Sequence, residues 1–188
     1  MREIALHLLD IAENSVAAQG RNIRIEVRED LHNDLLWACV EDDGRGMSAE
    51  TAQRVLDPFY TTRTTRKVGL GIPLLKLAAE MSDGGLSLTS ELDKGTRVEV
   101  SFRHSHIDRM PLGDLASTFL AVLVSYPQIH WVFAYRVTQK DGQADEFIFD
   151  DAELKAELGD LPMTEPEVLG FVRGMLEESI SALKLEPA

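Results

Sequence analysis

Asp42-Asp43-Gly44-Arg45-Gly46-Met47 follows the apolar run Leu35 to Val40 with only Glu41 between. An acidic side chain at the end of a strand can accept a hydrogen bond from an exocyclic amine. Two glycines beside it let the backbone turn and come close to a flat ring. Further on, Val68-Gly69-Leu70-Gly71-Ile72 opens a stretch of helical spacing. Glycines there leave backbone N–H groups free at the positive end of the helix dipole, which suits phosphate oxygens. The string is not a P-loop, since no Gly-Lys-Ser/Thr follows, and it lacks the preceding strand of a dinucleotide fingerprint. Glu3, His7, Asp10 and Asn14 stand at i, i+4, i+7 and i+11, one narrow polar stripe on a helix. A solvated face ordinarily uses Lys and Glu, whereas Asn in mid-helix is a mildly poor helix former. Gly95-Thr96, opening a later strand, makes a fourth set. Taken singly, each fits an ordinary turn or helix surface as well as a site.

The elements that must position these groups are legible from periodicity. Ile4, Leu8 and Ile11, with Ala5, Leu9, Ala12 and Val16 alongside, mark a helix that Gly20 is expected to end. Ile23, Ile25 and Val27 alternate with charged residues as a half-buried strand, and Leu35 to Val40 suits a central one. Ser48 caps a brief helix reaching Leu56, and Pro58 stops it. Residues 60–68 read as a loop. A second long helix runs from about Leu70 to Met81, followed by strands near Leu86–Thr89 and Arg97–Phe102 around an Asp93-Lys94-Gly95 turn. The first hundred residues therefore read α-β-β-α-loop-α-β-β, an antiparallel-rich sheet with helices on one face. Beyond a boundary between 104 and 111, the pattern gives a helix from Leu115 to Val124. A hairpin of Trp131–Val137 and Phe147–Phe149 across Asp141-Gly142 follows, then two acidic helices near 151–158 and 165–184.

The 188 residues carry 44% apolar and 27% charged side chains and a net charge of −13. That charge is uneven: residues 1–104 hold 17 acidic and 13 basic side chains, residues 105–188 hold 15 and 6. The acidic second half argues against nucleic acid or anionic lipid as a partner, and would suit a basic protein partner. Cys39 is alone, so no disulfide framework is expected, and His104 and His106 lack neighbours of other ligand types for a metal site. No signal pattern opens the sequence and no apolar run approaches the ~20 residues of a membrane span, so a cytoplasmic protein is expected.

The order of the motifs is more specific than any one of them. A helix with D-x-x-E-N, a strand ending D-x-G-x-G, Asp57-Pro58-Phe59-Tyr60, a Thr-rich loop, G-L-G opening a helix and G-T on the last strand occur in succession. This resembles the GHKL superfamily of gyrase-type topoisomerases, histidine kinases, MutL-type repair proteins and anti-sigma-factor kinases, over residues 1–103. The resemblance implies a Bergerat ATP-binding fold, an α/β (α+β) two-layer sandwich, at residues 1–104, with 105–188 as a small acidic α-β-β-α extension. Carried over by motif, Asn14 would coordinate Mg²⁺ and Asp42 would take the adenine amine, with Thr96 in support. Gly44 and Gly46 would line the base pocket, and Gly69, Leu70 and Gly71 would contact phosphates. Phe59 would anchor the Tyr60 to Val68 loop as an ATP lid.

Hydrolytic members place Glu four residues before the metal-binding Asn, and kinases usually place Asn there. Here Asp10 holds that position, a carboxylate able to orient water but one methylene shorter. The expectation is a Mg-ATP-binding regulator with slow hydrolysis, acting on a protein partner, while the acidic extension either completes the sheet or recruits that partner. A Ser or His protein kinase and a non-enzymatic ATP sensor are the alternatives. His106-Ile107-Asp108-Arg109-Met110-Pro111-Leu112 has the spacing of a phosphoacceptor box, but it follows the ATP domain and lacks the acidic neighbour. It reads as a linker in which Pro111 starts a helix.

Overall fold

The computed structural model describes residues 3–57, 71–159 and 161–184. Helix α1 spans Ile4–Ala17, β1 Asn22–Asp30, β2 Leu35–Asp42, α2 Ala49–Val55, α3 Gly71–Glu80, β3 Gly85–Glu91 and β4 Gly95–Arg103. The second half adds α4 Leu115–Ser125, β5 His130–Thr138, β6 Ala144–Asp150, α5 Asp151–Leu158 and α6 Pro166–Lys184. Every expected helix and strand in the described residues is present.

All six strands form one sheet in the order β3-β4-β2-β1-β5-β6. Neighbours are antiparallel except β1 and β5, which run parallel from Asn22 opposite His130 to Asp30 opposite Thr138. The strands of the second half therefore continue the sheet of the first. Alternation explains the layers: Ile23, Ile25 and Val27 of β1, Leu36, Ala38 and Val40 of β2, and Trp131, Phe133 and Tyr135 of β5 enter the same core. Leu8, Leu75, Phe119 and Leu176, from α1, α3, α4 and α6, cover that face. The opposite face carries interlaced charges: Glu26 lies 3.4 Å from Arg24 and 2.5 Å from Arg28, and Arg28 stacks 4.5 Å over Trp37.

Two turns differ from the sequence expectation. The residue that leaves α1 in the left-handed region is Gln19 (φ 66°), not Gly20. The N–H groups of Gln19 and Gly20 donate to the Val16 and Ser15 carbonyls, the bonding of a Schellman cap. Gly20 serves close approach instead, since a Cβ there would meet the Ser15 oxygen at 3.1 Å and Asp42 Cβ at 3.2 Å. Pro111 does not start a helix. Helix α4 begins at Leu115 under an Asp114 cap, while the Pro111 and Leu112 carbonyls accept the Ile4 and Ala5 N–H groups. The linker thus satisfies two of the open donors at the start of α1.

Candidate functional site

Asp42 is the last residue of β2, paired across the sheet with Ile23 on one side and Thr96 on the other. The residue is 7% exposed. A buried carboxylate needs donors, and the fold supplies them from two directions. The Ser15 hydroxyl donates to Oδ2 at 2.6 Å, and the Gly44 N–H donates to Oδ1 at 2.9 Å. Thr96 shares a 2.9 Å hydroxyl contact with Ser90, whose Oγ also accepts the Met47 N–H at 2.8 Å. Asp42 and Thr96 are directly opposed across the β2–β4 pair.

The turn after Asp42 is tied on both flanks. The Arg45 N–H donates to the Ala18 carbonyl at the end of α1, and the Arg45 carbonyl accepts from Asp93 in the β3–β4 turn. Gly46 has φ 60°, and a Cβ there would stand 1.9 Å from the Glu91 carbonyl oxygen. A Cβ on Gly44 would lie 2.7 Å from the Ala18 oxygen. Both glycines are required by close approach, and at Gly46 by conformation as well. Asp43 is bonded to the start of β1. Burial opposes its ionisation, but the Asn22 and Arg21 N–H groups and the Asn22 amide hold its pKa below the usual carboxylate range.

On α1 the polar stripe is real. His7 is buried, while Asp10 and Asn14 are half-buried along the same face. The stripe meets the start of α3: a Cβ on Gly71 would come within 1.8 Å of Asp10 Oδ2, so the carboxylate rests against the Gly71 backbone. His7 reaches the Gly71 carbonyl with Nδ1 at 3.2 Å. Burial lowers the His7 pKa, partly countered by that carbonyl. Phe59, Gly69, Leu70 and the lid from Tyr60 to Val68 lie outside the described residues.

Two groups at this site had no individual signal in the sequence. Ser15 sits within the apolar side of α1 and looks like a small core residue, and Ser90 looks like one of several strand hydroxyls. Their roles appear only once α1 and the β3–β4 turn converge on Asp42. The phosphoacceptor-like His106 sits elsewhere. It follows β4 in an irregular segment, 3.8 Å from Asp83, whereas Thr96 is near the strand's start. Roughly 23 Å of strand separates Thr96 from Arg103, counted at about 3.3 Å per residue.

Among the described residues, no helix is long and apolar enough to cross a membrane. Residues 1–106 match the family of histidine kinase-, DNA gyrase B- and HSP90-like ATPases. The non-motile and phage-resistance protein of Caulobacter vibrioides is 32% identical over 115 residues, 58% of this chain and 14% of that protein. Sensor protein SrrB of Staphylococcus aureus is 33% identical over 101 residues, 51% and 17% of the two chains. The heme sensor protein HssS of Staphylococcus saprophyticus is 30% identical over 95 residues, 50% and 21% of the two chains. This chain thus spans at most about a fifth of the length of these three relatives. The crystal structure of the N-terminal domain of a DNA repair protein has the same fold (TM-score 0.53, 14% identity), covering 78% of this chain and 52% of that one. That coverage exceeds what residues 1–106 could supply, so the likeness of fold continues into the second half. With the family's match over more than half its length, this chain belongs to the histidine kinase-, DNA gyrase B- and HSP90-like ATPases.

Proposed function

We propose that this chain binds Mg-ATP, hydrolyses it slowly and uses the nucleotide state to regulate a protein partner. The observation that carries the nucleotide reading is the Asp42 carboxylate, buried and oriented by Ser15 and Gly44. A carboxylate has about four lone-pair positions, so two donors leave it able to accept an amine as well. Gly44 and Gly46, whose Cβ positions are taken up by the Ala18 and Glu91 carbonyls, let the turn beside Asp42 pack closely against the end of α1 and the β3–β4 turn.

The donor set fits Mg²⁺. Asn14 offers a hard amide oxygen, and magnesium takes few protein ligands, completing its shell with phosphates and water. When bound, the ion neutralises triphosphate charge. Asp10 lies one helical turn before Asn14 and against Gly71, where its carboxylate can orient a water and accept a proton. The acidic second half, fixed to the sheet by β5, is the surface assigned to the partner.

A second reading, phosphotransfer to a partner, is favoured by the relatives, several of which are sensor proteins. Two measurements test the proposal. Calorimetry should find ADP bound at least roughly ten-fold more tightly than GDP, because Asp42 would face a guanine carbonyl with two acceptors opposed. Equal affinities would remove Asp42 from its role. Incubation with labelled ATP should release free phosphate; label on a partner instead would establish the kinase reading.

A further inference from the structure

His7 stands on the polar stripe of α1, yet the base, metal and water roles proposed above leave it without a task. The residue is 2% exposed, a costly place for an imidazole unless it is hydrogen-bonded. Its Nδ1 lies 3.2 Å from the Gly71 carbonyl oxygen. A carbonyl only accepts, so Nδ1 carries the proton and His7 donates. Burial lowers its pKa and so favours the neutral ring, in which His7 offers a donor rather than a charge.

The same glycine is met from a second position on α1. With the Asp10 carboxylate lying where a Gly71 Cβ would be, His7 and Asp10, three residues apart, both engage the first described residue of α3. One contact is a hydrogen bond and the other a close packing contact that only glycine permits. Asn14 follows one turn further along α1. The spacing between the start of α3 and the Asp10–Asn14 pair is therefore set at Gly71.

We infer that His7 is a positioning residue for the triphosphate: its Nδ1–H anchors Gly71 so that the start of α3 is held in register with Asp10 and Asn14. This rests on the Mg-ATP reading of the site. His7 belongs to the phosphate end of the pocket and is remote in role from the adenine end built around Asp42. Its loss should therefore alter the response to phosphates while sparing the base.

Three substitutions test this. His7→Asn puts an amide N–H near the position of Nδ1, His7→Gln carries it further out toward that of Nε2, and His7→Leu removes the donor. For the parent and each variant, affinities for Mg-ATP and for adenosine are measured, with thermal unfolding to follow the fold. Mg-ATP affinity should fall roughly five- to ten-fold in His7→Leu and His7→Gln and recover in His7→Asn, while adenosine affinity stays constant. If His7→Leu does not fold, the Asn and Gln pair alone decides. Indistinguishable Asn and Gln variants, or equal losses for ATP and adenosine, would overturn the positioning role and leave the nucleotide reading standing. A parent that binds neither ligand would remove the Mg-ATP reading and this inference with it.

Discussion

The side chains of Ser15 and Asp42, 27 positions apart in the chain, meet at 2.6 Å in the buried seam between α1 and β2. This contact orients one carboxylate oxygen, and the Gly44 N–H orients the other. Asp42→Asn should therefore be tolerated by the fold. Its amide oxygen can still accept from Gly44, and the Ser15 hydroxyl can rotate to accept from the new NH₂. Adenine should nevertheless bind at least about ten-fold more weakly, since an acceptor has become a donor. Calorimetry with ADP, paired with thermal unfolding, checks this; undiminished affinity in a folded variant would place the base elsewhere.

Asn14→Ala should weaken Mg-dependent ATP binding and leave adenosine affinity intact. The substitution removes one oxygen donor from a half-buried helix position and improves helix propensity slightly. Titrating Mg²⁺ at fixed ATP is the measurement. An unchanged magnesium dependence would mean that the ion is held by other residues.

Asp10→Asn should abolish turnover while ATP binding stays within a few-fold of the parent. The amide keeps nearly the same shape but cannot accept a proton, and removal of a general base typically costs about 10²–10⁴-fold in rate. Single-turnover hydrolysis with separately measured binding decides. A variant as fast as the parent would clear Asp10 of the role, and a parent without turnover would transfer the site to sensing or phosphotransfer.

Acid should unfold the protein through a small set of carboxylates. Asp34 accepts from the Ser105 hydroxyl at 2.8 Å and from Arg103 at 3.0 Å, and its pKa is held down at about 2. Asp150 is also lowered, by the Ala152 N–H first and by His130 second. The folded pKa values lie below the unfolded value of about 3.9, so this stabilisation is complete above that pH. It disappears as pH falls through about 2 at Asp34. Urea unfolding between pH 5 and pH 2 should show stability dropping across this window, and Asp34→Asn should flatten the slope. An unchanged slope in that variant would assign acid sensitivity to other groups.

How much of this was legible in the sequence depends on range. The period-2 alternation of Ile23, Ile25 and Val27 and the helical recurrence of Ile4, Leu8 and Ile11 are local, and both elements formed as read. The ordered motifs marked Asp42, Thr96, Asp10 and Asn14, because backbone elements of fixed length deliver them to one side of the sheet. What could not be read was the partner of each group. Ser15 as donor to Asp42 and the parallel pairing of β1 with β5 depend on contacts many residues away, which no local period encodes. Gly20 illustrates the remaining ambiguity. A glycine after a helix can supply either a left-handed turn or room, and here Gln19 makes the turn while Gly20 makes the room.

The parallel register from Asn22 to Asp30 makes β1 an interior strand only because residues 130–138 lie beside it. A chain cut after Arg103 would turn that strand into a nine-residue border with one side of its backbone donors and acceptors unmet. Such a border is a template on which other chains add strands, so the shortened protein would be prone to oligomerise edge to edge. The second half thus acts as a built-in edge protector for the first, a role that needs no partner at all.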